Sequence, residues 1–299
     1  MPLLTTEAAK LSEDDMLRGV IEEFYDRDGL FGMLDFQSTD GKAYVYNREK
    51  TLATGAWLDP NETVPESASE FEQVTTTLKI NIGDVDVDKF LDGTQSDLNN
   101  QKAIQIASKA KGMSREFRKM LVTGDEGVNT KHFNGMDKLV NANQIIATGA
   151  NGNPLNFTML DELVDAVETG ADAIIMRQGT YRAYKTLLRA VGGLEPQQVM
   201  VKDFGYFPSH DGTPILINDW IPGDVAKGSS TNTCSIYAVN FDPAVGFHCI
   251  YGGGPAGFRM EDIGTVQNKD ATRTRIKQYV GTALKSTKSL AAIRGVTSV

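Results

Sequence analysis

Three glycines in the C-terminal third of the chain have the spacing of a dinucleotide-binding loop. Gly252, Gly254 and Gly257 follow the apolar run VGFHCIY and match the pattern G-x-G-x-x-G. In nucleotide-dependent enzymes the pyrophosphate binds at the positive N-terminal end of a helix that begins within this loop. Here Pro255 lies inside the loop, and the segment FRMEDIG that follows alternates in a way that predicts an extended strand. We therefore expect a tight turn between two strands, and a nucleotide-dependent enzyme is the weaker alternative.

The remaining side chains that could do chemistry are few and scattered. His132, His210 and His248 stand at no metal-ligand spacing, and Cys234 and Cys249 lie on separate predicted strands. We interpret His210 as an exposed residue beside a turn, His248 as a packed core histidine and both cysteines as buried free thiols. No motif for a nucleophilic serine, a zinc protease or a calcium loop occurs. The sequence predicts no catalytic site, no cofactor and no metal, so we expect that the protein is not an enzyme.

Composition narrows the class of protein. The chain has 299 residues and a formal net charge of −9, with 23% charged residues, and it is long enough to bury a substantial core. No cluster of Lys and Arg stands out, which argues against a nucleic-acid binder with a basic footprint. No apolar stretch approaches a bilayer span, and the N-terminal stretch MPLLTTEAAKLSEDD lacks the features of a signal peptide. We expect a globular protein that is made and kept in the cytoplasm without membrane contact.

The first element that the sequence predicts is an N-terminal arm. A helical spacing of apolar residues, which includes Leu17 and Phe24, predicts one amphipathic helix there. The segment DGLFGMLDF that follows predicts an extended chain. From Asp40 to about Asp84 the pattern predicts two strands, in KAYVYNRE and EQVTTTLKINIG, around a polar middle that contains Trp57. The region therefore predicts a long two-stranded excursion with a loosely structured tip.

The clearest single element is a long helix from about Thr94 to Leu121. Apolar residues recur there at steps of three and four, and Gly124 follows close to its end. At a rise of about 1.5 Å per residue this helix is roughly 40 Å long. It is therefore long enough to cross a whole domain.

After this helix the pattern alternates between helices and strands. The segments FTMLDELVDAVE and GTYRAYKTLLRAVGG predict helices, ADAIIM predicts a buried strand between them, and Asp211-Gly212 predicts the turn of a β-hairpin. A polar loop from Gly223 to Thr233 precedes the apolar strand CSIYAVNF, and the tail predicts a strand, Gly281 and a final extended segment. Helices and strands in this arrangement predict an α+β fold without internal repeats.

This order of elements resembles the HK97-like major capsid protein of tailed double-stranded DNA bacteriophages, over nearly the whole chain. Short stretches agree with the resemblance, among them FNGM after the long helix and DGTPILINDWIP followed by SIYAVNFDPAVGF. The glycines at Gly252 then mark the crossing from an axial domain to a peripheral sheet. The resemblance implies an N-terminal arm at residues 1–35, an extended β excursion called the E-loop at 36–84, a peripheral domain at 85–142 and 252–299 with a spine helix at 94–121, and an axial domain at 143–251.

The resemblance implies an assembly protein whose function is its shape. Such a chain forms hexamers and pentamers that build an icosahedral shell around a double-stranded DNA phage genome, with a separate scaffolding protein and a portal as further partners. The packaged DNA is held without sequence-specific binding, assembly takes place in the host bacterial cytoplasm, and the product is the virion capsid. An encapsulin, which is a bacterial nanocompartment shell protein with the same fold, is the nearest alternative.

Candidate contacts between subunits follow from this resemblance. Trp57 is a large apolar ring in a polar loop, which indicates either an anchor for a partner pocket or a ring folded back on its own loop. The polar loop after Gly223 is the candidate for the ring axis. The candidate contact residues are Gly55, Trp57 and Leu58 at the E-loop tip, Leu17 and Phe24 in the arm, and Asp224 and Lys227 in the polar loop.

Overall fold

The structure, a computed structural model, describes residues 29–51, 53–60, 62–90, 101–192, 195–201, 205–253 and 257–299. The α-helices within these residues are α1 (Gly29–Met33), α2 (Gln101–Thr123), α3 (Met136–Leu139), α4 (Phe157–Asp165) and α5 (Gln178–Gly192). The strands are β1 (Phe36–Ser38), β2 (Ala43–Thr51), β3 (Glu70–Thr77), β4 (Lys79–Asp88), β5 (Ile145–Ala147), β6 (Ala173–Met176), β7 (Gln197–Val201), β8 (Gly205–His210), β9 (Thr213–Ile217), β10 (Val225–Lys227), β11 (Ser230–Val239), β12 (Phe247–Tyr251), β13 (Phe258–Thr265), β14 (Ala271–Leu284) and β15 (Leu290–Val296). None of the helices in this part of the chain is long and apolar enough to cross a membrane.

Strand β14 organises a five-stranded sheet. One side of β14 pairs with β4 in antiparallel register. The other side pairs first with β13 and then with β12, and β1 adds to β12 in parallel. Since β12 and β13 run along the same side of β14 in the same direction, they form one interrupted strand.

The predicted long helix is confirmed as α2, which packs on this sheet. It buries Ile106, Ala110, Met113 and Phe117 in the main core, and these positions recur at steps of three and four, as on one face of a helix. The helix ends at Thr123, two residues later than expected. The predicted residues 94–100 lie outside the described part of the chain.

The second sheet has eight strands and forms the other half of the core. Its order is β5-β15-β11-β6-β9-β8-β7, with β10 paired to β11. All four residues of β6 are buried, as predicted for the short apolar run, and α4 and α5 confirm the two predicted helices. Asp211 and Gly212 both have positive φ, +47° and +80°, which confirms the predicted hairpin turn between β8 and β9.

Two strands lie in a different sheet from the one expected. Strand β12 belongs to the five-stranded sheet and β15 to the eight-stranded sheet, whereas the opposite assignments were predicted. The crossing therefore falls between Asn240 and Gly246, where Phe247 N–H donates to Asn240 O at 2.8 Å and Gly246 N–H to Asp242 O at 2.6 Å. The sequence of a short apolar strand does not indicate which sheet the strand joins, because sheet membership is decided by pairing with residues far away in the chain. The domain limits themselves stay a prediction.

The N-terminal part also differs from expectation in two places. Residues Gly29–Met33 form a helix, although the sequence predicts an extended segment, because Leu30 and Leu34 are buried together in the main core. Within the predicted E-loop, only β2 and β3 form a separate two-stranded sheet. Strands β1 and β4 belong to the five-stranded sheet.

Candidate inter-subunit surfaces

The E-loop hairpin, defined as β2, β3 and the residues between them, projects from the five-stranded sheet. Its strands pair antiparallel from Ala43 opposite Thr77 to Thr51 opposite Glu70. Nine residues in β2 at about 3.3 Å each give a strand of roughly 30 Å. The alternating pattern predicted this pairing, and the structure confirms it.

Side chains of β2 attach the hairpin base to the end of β14. The hydroxyl of Tyr46 donates to the carbonyl of Leu284 at 2.9 Å, and the guanidinium of Arg48 donates to the carbonyls of Leu284 at 2.6 Å and Lys285 at 3.1 Å. Tyr46, Ile250 and Ala283 form a small buried cluster beneath them. The base of the hairpin is therefore fixed, although most residues of β3 are exposed. The sequence analysis missed both anchors, which the pattern YVYNR does not distinguish from other strand residues.

His248 lies beside this base and is fully buried, as the sequence predicted. Its ring packs edge-on against Tyr44 with 6.0 Å between ring centroids, and its Nδ1 lies 3.3 Å from the carbonyl oxygen of Gly246. Burial lowers the pKa of His248 below its ordinary value, because a charged imidazolium is disfavoured away from water. The histidine is therefore held neutral in the folded chain.

The tip of the hairpin presents apolar side chains to solvent. Trp57 is fully exposed, at 102% of the reference area, and Leu58 and Val64 are exposed with it. Gly55 has open space around its Cα. The tip has its own hydrogen bonds, among them Ser67 Oγ to the Thr54 carbonyl at 2.7 Å, but the indole ring does not fold back on it.

The other predicted contact residues divide into three cases. Asp224 is exposed ahead of β10. The ammonium of Lys227 instead turns inward and donates to the carbonyl of Arg294 at 2.7 Å, so this lysine closes the loop against its own chain. Leu17 and Phe24 lie outside the described residues.

An exposed apolar pair at the edge of the eight-stranded sheet was missed. Met200 of β7 and Tyr206 of β8 stand opposite each other in register and are 62% and 71% exposed. Cross-strand pairs of this kind stabilise a hairpin only modestly when water reaches both side chains. The segments QQVMV and GYFPSH carry the signal, since each places an apolar residue among polar or turn-forming ones.

The exposed face of the five-stranded sheet carries paired charges. Arg273 binds Asp86 and Arg275 binds Asp84, each through two hydrogen bonds of 2.6 to 2.8 Å. These hydrogen bonds hold the pKa values of Asp84 and Asp86 below their usual range. Each arginine of β14 neutralises an aspartate of β4. These four side chains therefore offer a partner little net charge.

Helix α2 is rich in basic residues. It contains six basic side chains and one acidic side chain, although the whole chain has a net charge of −9. The basic residues are spaced three, four or more positions apart, so the linear sequence shows no run of them. The helical turn brings several of them to one face.

Only part of the glycine segment can be described, because Gly254, Pro255 and Ala256 lie outside the described residues. Strand β13 follows it, as predicted, and β12 and β13 continue along the same strand of the sheet. A Cβ on Gly252 would lie 2.7 Å from Leu78 Cδ1, and one on Gly257, at φ +77°, would lie 2.8 Å from the Tyr279 carbonyl oxygen. The glycines let the chain pass Tyr279 closely. The described chain continues after Gly257 as strand β13, whereas a pyrophosphate site requires a helix that begins in the loop.

His210 and the two cysteines are engaged in the fold. His210 is not the exposed turn residue that the sequence predicted: its ring lies 2.8 Å from Asp161 and 3.3 Å from the Tyr184 hydroxyl. Cys234 and Cys249 are buried free thiols, as expected, and burial raises the pKa of both. Among the described residues no group of three His, Cys, Asp or Glu side chains could hold a metal ion.

Comparison with known proteins places this geometry in context. No protein-family model and no curated protein matches the chain. Solved structures match it over most of its length. The SrpI encapsulin of Synechococcus elongatus PCC 7942 has 16% identity and a TM-score of 0.72, and the match covers 91% of this chain and 88% of that one.

Two viral or virus-like structures match with similar coverage. The capsid of a native GTA particle has 15% identity and a TM-score of 0.64 over 89% of each chain. A chain of Microbacterium phage Oxtober96 has 12% identity and a TM-score of 0.64, over 89% of this chain and 90% of that one. Identities this low show the fold alone: the chain has the mixed α+β HK97-like fold that capsid and encapsulin structures share.

Proposed function

We propose that this protein is the subunit of a closed icosahedral shell. The observation that carries the proposal is the E-loop hairpin, which is attached to the end of β14 through Tyr46 and Arg48 and holds a fully exposed Trp57 in its tip. An exposed tryptophan on an ordered arm suits an anchor for a second copy. The match of nearly the whole chain to shell-forming structures supports the same function.

In each assembly contact, the two neighbouring subunits use different surfaces. The hairpin tip of one subunit binds another region of its neighbour, which is a heterologous contact and closes into a ring when the rotation permits. Hexamers and pentamers form in this way around the loop that contains Asp224, and the hairpins then link rings to one another. Each contact is repeated by the symmetry of the shell, so a modest energy per contact is sufficient.

The content of the shell decides between two biological classes. We propose a phage major capsid protein, assembled in a bacterial cytoplasm with a separate scaffolding protein and a portal, that packages double-stranded DNA. The net charge of −9 suits a container that does not hold its DNA tightly. The second candidate is an encapsulin-type shell, which the higher TM-score of the SrpI encapsulin, 0.72 against 0.64, favours.

Electron microscopy of the purified protein, with and without a candidate scaffolding protein, tests the proposal. Closed icosahedral shells or free hexamer and pentamer rings are the expected result. A monomer or dimer under every condition would contradict it. The content of particles isolated from their natural source then separates the two classes, because a capsid encloses nuclease-protected DNA and an encapsulin encloses a protein.

A further inference from the structure

Two asparagines of the chain are directly followed by glycine, at Asn134-Gly135 and at Asn151-Gly152. Such pairs are chemically labile, because the backbone nitrogen of the glycine can attack the side-chain amide carbon of the asparagine. Glycine has no Cβ, so it neither shields its own nitrogen nor restricts the backbone rotation that the attack requires. The sequence does not distinguish the two pairs, and their structural surroundings decide which one reacts.

The first pair is locked into the fold. The side-chain oxygen of Asn134 accepts the backbone N–H of Glu126 at 3.0 Å, and its carbonyl oxygen accepts the hydroxyl of Thr282. The N–H of Gly135 donates to the carbonyl of Gly124 at 2.8 Å, and Gly135 is buried. Because both reacting groups are held by other partners, the nitrogen reaches the side chain only after this segment opens locally.

The second pair lies in a turn between β5 and α4 and is open to solvent. Asn151 is exposed, and within the described residues the N–H of Gly152 donates no hydrogen bond. The side-chain oxygen of Asn151 accepts the backbone N–H of Ser229 at 3.0 Å. This donor stabilises the negative charge that develops on the oxygen when the amide carbon is attacked. The attacking nitrogen is therefore free, and its target is polarised.

We propose that Asn151 is a site of spontaneous deamidation in the folded protein and that Asn134 is protected from it. The nitrogen of Gly152 forms a bond to the side-chain carbon of Asn151 and gives up its proton, while the side-chain nitrogen takes up a proton and leaves as ammonia. Water then opens the cyclic imide on either side, which yields an aspartate or an isoaspartate. The reaction needs only water, and it does not depend on whether the protein forms shells.

The two products differ in their effect on this turn. On one side of the modified position, Asn153 bonds to β15: its N–H donates to the carbonyl of Gly295 at 3.2 Å, and its carbonyl accepts the N–H of Thr297 at 3.0 Å. On the other side, Gly228 packs so closely that a Cβ on it would lie 2.4 Å from the carbonyl oxygen of Ala150. An isoaspartate lengthens the backbone between these two contacts, whereas an aspartate adds only negative charge. The isoaspartate should therefore loosen the turn.

Peptide mass spectrometry of the full-length protein, after incubation at mildly alkaline pH, tests the proposal. Digestion of samples taken over time gives the fraction of each asparagine that has become an acid. In the folded protein Asn151 should react about tenfold faster than Asn134 or more, because the locked pair reacts only from a locally opened state, and a factor of ten corresponds to about 1.4 kcal/mol. Equal rates at the two sites, or a faster reaction at Asn134, would overturn the proposal.

The same incubation in concentrated urea separates the effect of the fold from that of the local sequence. In the unfolded chain the two asparagines should react at similar rates, because each is followed by glycine. A preference for Asn151 that persists undiminished in urea would assign the difference to the neighbouring residues and would overturn protection by the fold.

A matched variant separates the charge of the product from the longer backbone. Asn151→Asp supplies the charge alone and should melt at the temperature of the unaltered protein, because a carboxylate oxygen still accepts the N–H of Ser229. Incubated protein that is rich in isoaspartate at this position should melt at a lower temperature. Equal melting temperatures of the incubated and the unaltered protein would show that the longer backbone does not loosen the turn.

Discussion

The eight-stranded sheet and the E-loop hairpin use apolar residues in opposite ways. In the sheet, β6 is wholly buried and β15 buries six of its seven residues. In the hairpin, most residues of β3 are exposed, and Trp57, Val64 and Phe71 face solvent. Apolar residues of the sheet are explained by the core of their own chain. Trp57, Val64 and Phe71 of the hairpin have no such explanation within the described residues, which points to a partner outside the chain.

The largest expected effect comes from the sheet. Ile293 is fully buried on β15, between β11 and β5. Ile293→Ala should lower the free energy of unfolding by about 2–5 kcal/mol, because it leaves a cavity in close-packed surroundings. Urea denaturation measures the change, and Val191→Ala on the exposed end of α5 serves as the control. A cost below about 1 kcal/mol would show that this sheet is less tightly packed than described.

The matching change in the hairpin should separate assembly from folding. Trp57→Ala should leave the free energy of unfolding within about 0.5 kcal/mol. It should prevent shell formation, because each lost anchor costs about 2 kcal/mol or more and is repeated at every contact. Sedimentation and electron microscopy of assembly reactions measure this. Val128→Ala, at another exposed apolar residue, should assemble normally; normal shells from the Trp57 variant would refute the anchor.

The same contrast explains how much the sequence could predict. The steps of three and four in α2 and the Asp211-Gly212 turn are local signals, and both predictions were confirmed. The sheets to which β12 and β15 belong were predicted wrongly, because strand pairing depends on residues far apart in the chain. The exposure of Trp57 needed the structure, since its polar neighbours allow a folded-back ring as well.

A smaller effect is expected at the hairpin base. Arg48→Ala removes the hydrogen bonds to the carbonyls of Leu284 and Lys285 but leaves that of Tyr46. We expect the free energy of unfolding to fall by about 1 kcal/mol. Hydrogen exchange in β2 and β3 should become faster than in the unaltered protein, whereas exchange in the buried strand β6 should not change. Arg48→Lys should recover part of the protection. Unchanged exchange in the hairpin would mean that Arg48 does not hold its base.

The smallest expected effect is a pH dependence from His248. Its folded-state pKa is lowered by burial, so the unfolded chain takes up the proton more readily as pH falls through the ordinary value of about 6.5. Stability contributed by the neutral ring should therefore decline below that pH and level off below the folded-state pKa. Thermal unfolding at a series of pH values measures the slope. His248→Gln should flatten it, and an unchanged slope would assign the effect to another group.

The central claim is that the partner of the hairpin tip is a second copy of this chain. A cryo-electron microscopy map of the assembled shell, at a resolution that shows side chains, tests it directly. The account predicts that the ring of Trp57, fully exposed in the single chain, is buried against a neighbouring subunit. A closed shell in which Trp57 remains in solvent would contradict it.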